Sequence, residues 1–136
     1  FVVCILVLPI PAISPDGRFL ALGDIFNRIT VVETQTWKQV WQTISHLEGV
    51  NAISFSADSS RMVSCSSGGR VILWETETGQ EIMRLAGFRG EVNSVVFSSD
   101  GKTIAAASRR EGAFSQRPFF YKTSVGFCAH SGRQIS

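Results

Sequence analysis

Apolar residues gather in short, strand-sized blocks separated by small and polar ones. Through the middle of the chain, Val50 to Phe55 is an apolar, β-branched run closed by the turn Ser56-Ala57-Asp58-Ser59-Ser60. Met62 to Cys65 is a second run, followed by Ser66-Ser67-Gly68-Gly69. Val71 to Trp74 is a third, closed by Glu75-Thr76-Glu77-Thr78-Gly79, and Glu81 to Leu85 is a fourth with partial alternation. Short apolar runs bounded by Gly, Ser and Asp read as strands joined by tight turns. The spacing predicts a four-stranded antiparallel meander.

The same pattern recurs. Ala12-Ile13-Ser14-Pro15-Asp16-Gly17-Arg18 returns as Ser54-Phe55-Ser56-Ala57-Asp58-Ser59-Ser60 and as Val96-Phe97-Ser98-Ser99-Asp100-Gly101-Lys102, each 42 residues on. Arg28 to Thr34 lies over Arg70 to Thr76, Val40 over Ile82, and Val50-Asn51 over Val92-Asn93, all at that offset. In the turns, Pro15 pre-sets φ and the Asp-Gly pairs supply a left-handed residue. Ser59 stands where the other two turns have Gly, which carries a cost if that position has positive φ. A single four-stranded sheet cannot bury both faces, so such units must stack on one another.

A 42-residue period with Trp closing the third strand resembles the WD40 repeat of β-propellers. The residues carrying the resemblance are Ser45-His46, Ser56-Ala57-Asp58, Met62 to Ser66, and Leu73-Trp74-Glu75, with Glu75 where the family has the Asp of its Trp-Asp pair. It covers about residues 12 to 108 and implies an all-β chain of four-stranded antiparallel blades. The expected units are 12–49, 50–90 and a partial 91–108, after an atypical end at 1–11. At 136 residues the chain holds about 2.5–3 blades, so an incomplete propeller is expected, a fragment whose further blades lie elsewhere in a parent chain. The third unit should continue with a strand near 113–116, but Ala113-Phe114-Ser115-Gln116 stands there, and 109–136 reads as a basic, non-repeat and non-native end.

The resemblance also implies a hydrogen-bonded set of His, Ser or Thr, Asp and Trp within each blade. His46, Ser64 and Trp74 fill three of those places, while the Asp falls near Gly68. Phe88 stands where the next unit would have its His, and Phe26 near the Asp position of the first. In such propellers the loops between blades share a face with the loops between second and third strands. Here those loops carry His46, Leu47, Phe88 and Arg89, with Phe26 and Arg28, and aromatic and Arg residues are enriched at interface hot spots. Phe88 has an equal claim as packing in the place of the family's His.

Composition narrows the rest. Apolar residues are 44% and charged residues 18%, too apolar for a disordered chain, and no apolar run reaches the length of a membrane span. Net charge is +2; the tail 109–136 carries five basic residues against Glu111, a net +4, leaving −2 for the remainder. Cys4, Cys65 and Cys128 are too few and too scattered for a disulfide framework or a zinc site, which points to a reducing location inside the cell, cytoplasm or nucleus. Cys65 aligns with Gly23 and Ala107, so its position calls for a small residue rather than a nucleophile. Cys128-Ala129-His130 has ligand types without a second pair, and neither a phosphate loop nor a nucleophile elbow is present. No metal or cofactor is expected. The function indicated is a non-catalytic scaffold for protein or peptide partners. The alternatives are the propeller part of an enzyme, or a nucleic-acid binder acting through the basic, aromatic tail.

Overall fold

The computed structural model describes residues 10–85, 88, 90–108 and, for the backbone alone, 119–124. Eleven strands follow in order: β1 (Ile10–Ile13), β2 (Phe19–Gly23), β3 (Arg28–Glu33), β4 (Gln39–Ile44), β5 (Val50–Phe55), β6 (Arg61–Ser66), β7 (Val71–Glu75), β8 (Glu81–Leu85), β9 (Val92–Phe97), β10 (Thr103–Ser108) and β11 (Phe119–Ser124). They form two four-stranded meanders, β1-β2-β3-β4 and β5-β6-β7-β8, and a three-stranded sheet ordered β11-β10-β9. All pairings are antiparallel. The described residues contain strands and turns and no helix.

The sheets stack face to face, and the stacking explains the sequence pattern. Met62, Ile72 and Trp74 turn towards the first sheet and bury with Phe19, Ala21, Ile29 and Val31. Val63, Cys65, Val71 and Leu73 turn the other way and bury with Val92, Val95, Ile104 and Ala106 of the third. Both faces of the middle sheet are therefore covered. That is why β6 and β7 read as continuous apolar runs instead of alternating. The peripheral strands β4 and β8 are exposed at every second position or more, so their alternation is the clearest.

One turn is built three times. Ser14, Ser56 and Ser98 each donate from Oγ to the Asp two residues on, at 2.6, 2.6 and 2.5 Å. The same Asp accepts the N–H of Arg18, Ser60 or Lys102 at 2.9–3.0 Å. The same Ser Oγ accepts the N–H of Phe19, Arg61 or Thr103, where the return strand starts. Gly17, Ser59 and Gly101 hold the left-handed position with φ of 76°, 63° and 70°. For Ser59 that conformation costs roughly 1–2 kcal/mol relative to Gly. Its Oγ, however, accepts the Asp16 N–H at 3.1 Å, a bond between the first and second sheets that Gly could not make. A hydrogen bond of this kind contributes about 1 kcal/mol, enough to offset much of the strain.

The third sheet departs from the 42-residue register. Its third strand is β11, which starts at 119 and pairs along the whole of β10, from Ser108↔Phe119 to Thr103↔Ser124. The stretch expected to supply that strand, 113–116, lies outside the described residues, as do residues 1–9. At the other end β1 begins at Ile10, so the first sheet's pairing takes in two residues of the segment read as atypical.

Candidate functional site: a loop face over a buried polar relay

His46 lies in the β4–β5 loop, and its ring reaches into the face of the middle sheet that packs on the first. Its Nε2 is 2.7 Å from Ser64 Oγ, and the Trp74 Nε1–H donates to the same oxygen at 2.8 Å. The strand register makes this possible: Ser64 pairs with Ile72 and Met62 with Trp74, so Ser64 and Trp74 share one face. Ser64 is fully buried and Trp74 nearly so. The relay stops at the far side of the ring, because His46 Nδ1 is buried without a protein partner. Gly68 offers no carboxylate there. A Cβ at 68 would stand 3.1 Å from Leu47 Cβ, so even a small side chain presses on the loop that carries His46.

Burial pushes the His46 imidazole down to about 4, and the positive charges of Arg70 and Arg84 push it the same way. The ring is thus neutral at physiological pH, as a hydrogen-bonded core group should be. Cys65 is a neighbour in sequence but not in chemistry. It is fully buried on the opposite face of β6, and burial pushes its thiol up to about 12. No thiolate forms there near pH 7, and the His46 ring faces Ser64 instead.

The loops above this relay are tied together. Asp24 Oδ1 accepts the N–H of Phe26 and Arg28 at 2.8 and 3.1 Å, and Oδ2 pairs with Arg28 Nε at 2.9 Å. That turns the β2–β3 connection tightly through Asn27, which sits at φ 69°. Asn27 Nδ2 donates to Leu47 O at 3.2 Å, and the Val50 N–H donates to Asp24 O at 3.0 Å. Arg70 reaches from the β6–β7 loop to Ser45 O at 2.8 Å, and the Ser67 N–H to Gly49 O at 3.0 Å. Three loops from two sheets therefore form one cross-braced surface.

On that surface Ile25, Phe26 and Leu47 are 62%, 58% and 61% exposed. Arg28 borders them, half-exposed and held by Asp24. Two residues expected on this face turn away from it. His46 is buried because its ring is committed to Ser64, and Phe88 is partly buried against the core between the second and third sheets. Arg89 lies outside the described residues. Ile25 was not apparent from sequence; its only signal is an apolar residue inside an Asp-x-x-Asn turn, where no core position exists.

Trp41 is the other side chain that sequence reasoning passes over. From the exposed strand β4 it stacks on Trp74, centroids 5.8 Å apart, and its Nε1–H donates to Thr76 O at 2.7 Å. Its ring roofs the β7–β8 turn, where a Cβ on Gly79 would lie 2.5 Å away. Only glycine serves at 79, for both its φ of 73° and this contact.

The three turn aspartates stay one per sheet and do not converge. Hydrogen bonds from Ser56 and Ser60 hold the Asp58 carboxyl down at about 2, and bonds from Ser14 and Ser98 lower Asp16 and Asp100 in turn. Among the described residues no group of three or more His, Cys, Asp or Glu is placed to hold a metal ion. Cys128 and His130 lie outside those residues. No helix among them is long and apolar enough to cross a membrane.

Stacked four-stranded meanders with a His–Ser–Trp relay define the class. The family model for the WD domain, G-beta repeat (WD40), matches residues 37–75 and 79–110, more than half of the chain, and the chain belongs to the WD40-repeat family. Its fold is similar to the solved structures of U3-55K and of the RRP9 WD40 repeats, each with a TM-score of 0.68 at 14% and 15% identity. Those superpositions cover 71% of this chain and 32% and 31% of the other two, so the chain spans about a third of their length. No curated protein sequence gives a significant match. WD40 repeats generally mediate protein–protein interaction, and their propellers are typically non-catalytic.

Proposed function

We propose that the chain acts as a non-catalytic scaffold that docks a protein or peptide partner on the braced loop face. The observation that carries this is the cluster of Ile25, Phe26 and Leu47, large apolar side chains held in solvent on loops cross-linked by hydrogen bonds. Apolar side chains on a rigid surface lose little conformational freedom when a partner covers them, so more of the burial appears as affinity. The two sheets beneath supply that rigidity, and His46, Ser64 and Trp74 serve as a structural network beneath the loops rather than as contacts. Arg28, already oriented by Asp24, serves as the polar rim beside the apolar centre. The setting proposed is the interior of the cell, in line with the buried free thiol of Cys65.

The test is a double variant, Phe26→Ser with Leu47→Ser, assayed against a partner captured by the wild-type chain. Affinity should fall by at least about tenfold, the scale of losing two apolar anchors. The far-ultraviolet spectrum should stay unchanged, because neither side chain is in the core. Unchanged affinity in the folded variant would place the docking surface elsewhere. Binding to single-stranded RNA that weakens steeply with salt and is untouched by the variant would favour the nucleic-acid alternative.

A further inference from the structure

The first two sheets end on the same hairpin, and the two tips carry different chemistry. In β3–β4 the Trp37 N–H donates to Glu33 O and Thr36 Oγ1 to Glu33 Oε2, at 2.8 and 2.7 Å. In β7–β8 the Gly79 N–H and Thr78 Oγ1 do the same to Glu75, at 3.0 and 2.6 Å. Gly79 holds this position at φ 73°, whereas Trp37 holds it at φ 57° and is 65% exposed. A bulky residue in the left-handed region is strained, and an observed outlier of this kind is grounds for looking for a role. The sister hairpin shows that the fold itself does not need a tryptophan there.

Beside the Trp37 tip, Phe19, Gln39 and Val40 line a groove whose charged groups are Arg18, Lys38, Glu33 and Glu77. Both carboxylates are already engaged. Glu33 accepts the Thr36 hydroxyl, and Glu77, from the second sheet, pairs with Arg18 at 3.1 Å. Arg18 lies over the Phe19 ring at 4.7 Å with half of its side chain open to solvent. Among the described residues no carboxylate pairs with the Lys38 ammonium. The corresponding groove of the second sheet is lined by Ser60, Arg61, Glu75, Gln80, Glu81 and Ile82. There Ser60 stands for Arg18, Gln80 for Lys38 and Glu81 for Gln39, and at the tip Glu77 stands for Gln35. Each of these exchanges leaves the first hairpin the more positive; only Arg61, in the place of Phe19, runs the other way. The exposed aromatic and the added positive charge thus coincide at one tip and are absent together from the other.

We propose that this end of the first sheet docks an acidic segment of a protein partner, with an apolar side chain of that segment on Trp37 and its carboxylates at Lys38 and Arg18. Charge complementarity selects the occupant. An incoming carboxylate meets the Lys38 ammonium and the open side of the Arg18 guanidinium, whereas a basic segment would meet those cations with both local carboxylates committed elsewhere. Trp and Arg are also among the residue types that most often anchor an interface. The tip is held in place before any partner arrives. The Lys38 N–H donates to Thr36 Oγ1 at 3.3 Å, and the Thr34 N–H to Arg18 O at 2.9 Å, which ties the hairpin to the β1–β2 turn. Little freedom is then lost when the tip is covered. The β3–β4 turn lies at the opposite end of the strands from the β2–β3 and β4–β5 loops, so this surface stands apart from the loop-face docking proposed above.

Fluorescence anisotropy with the full chain tests this, using short labelled peptides of Asp and Glu around one Leu or Phe, and a second set in which Lys replaces the acids. The acidic set should bind, and the basic set should bind at least about tenfold more weakly. Lys38→Glu and Trp37→Gly should each weaken the acidic set at least about tenfold. Trp37→Gly gives the first hairpin the residue that the second already has, so it should keep or raise the thermal midpoint while binding falls, which a misfolded variant cannot do. Four results would overturn the proposal. These are an acidic set that does not bind, a basic set that binds as tightly, binding unchanged in both variants, or binding lost only in the Phe26→Ser, Leu47→Ser variant. Single-stranded RNA bound more tightly than any acidic peptide, with the same dependence on Trp37 and Lys38, would also overturn it and assign the surface to nucleic acid.

Discussion

Trp74→Ala should destabilise the chain by roughly 3–5 kcal/mol, the range for truncating a buried aromatic. The ring is 1% exposed in the core between the first two sheets, and three separate contacts end with it. The Nε1–H leaves Ser64, the stack under Trp41 opens, and a cavity faces Met62 and Phe19. Trp74→Phe separates the parts. It keeps most of the ring volume but leaves Ser64 Oγ without its donor, a loss nearer to about 1 kcal/mol. Urea unfolding followed by circular dichroism measures both. An unchanged midpoint for Trp74→Ala would refute the assignment of Trp74 as the anchor of the middle sheet.

Acid should weaken the fold well before the carboxylates titrate, and His46 is the reason. Burial holds its imidazole at about 4 in the folded chain, against 6.5 when unfolded. Between those values the unfolded chain binds a proton that the folded chain refuses, so stability rises with pH through that window and is lost as pH falls from 6.5 towards 4. Each unit is worth about 1.4 kcal/mol, which makes the full loss about 3 kcal/mol. His46→Gln removes the titration and should flatten stability between pH 6.5 and 4. Asp58 acts lower down. Its carboxyl is held near 2 instead of 3.8, so its contribution is present above 3.8 and fades only as pH falls towards 2. A wild-type profile as flat as that of His46→Gln would show that the ring is not buried as a neutral base.

The sheets were readable because three levels of pattern agreed on one period. The Ser-x-Asp turn returns every 42 residues with the same three side-chain hydrogen bonds. Ser64 and Trp74 were legible through their place in that repeat. The loop face was less so. The repeat gives His46 a place beside Ser64 and Trp74, yet nothing in the sequence shows that this takes it off the loop face while Leu47 stays on it. Phe88 packs partly against the core between the second and third sheets, the packing reading that its place in the repeat already allowed. Trp41 and Trp37 escaped notice for opposite reasons. One looks like a routine exposed strand residue yet packs on the next sheet's glycine turn, and the other looks like a turn residue yet occupies a glycine conformation. The late start of β11 could not be read either, because the connection before it does not keep the repeat length.

The braced loops over the His46 relay are proposed as a protein-docking face. Photo-crosslinking tests this, with a benzophenone amino acid placed singly at Phe26, at Leu47, and at Lys102 in the turn between β9 and β10. Protein adducts should form from 26 and 47 and not from 102, with the adducts from 26 suppressed by an excess of unlabelled chain. Adducts only from 102, or adducts from 26 and 47 that are nucleic acid and not protein, would contradict it.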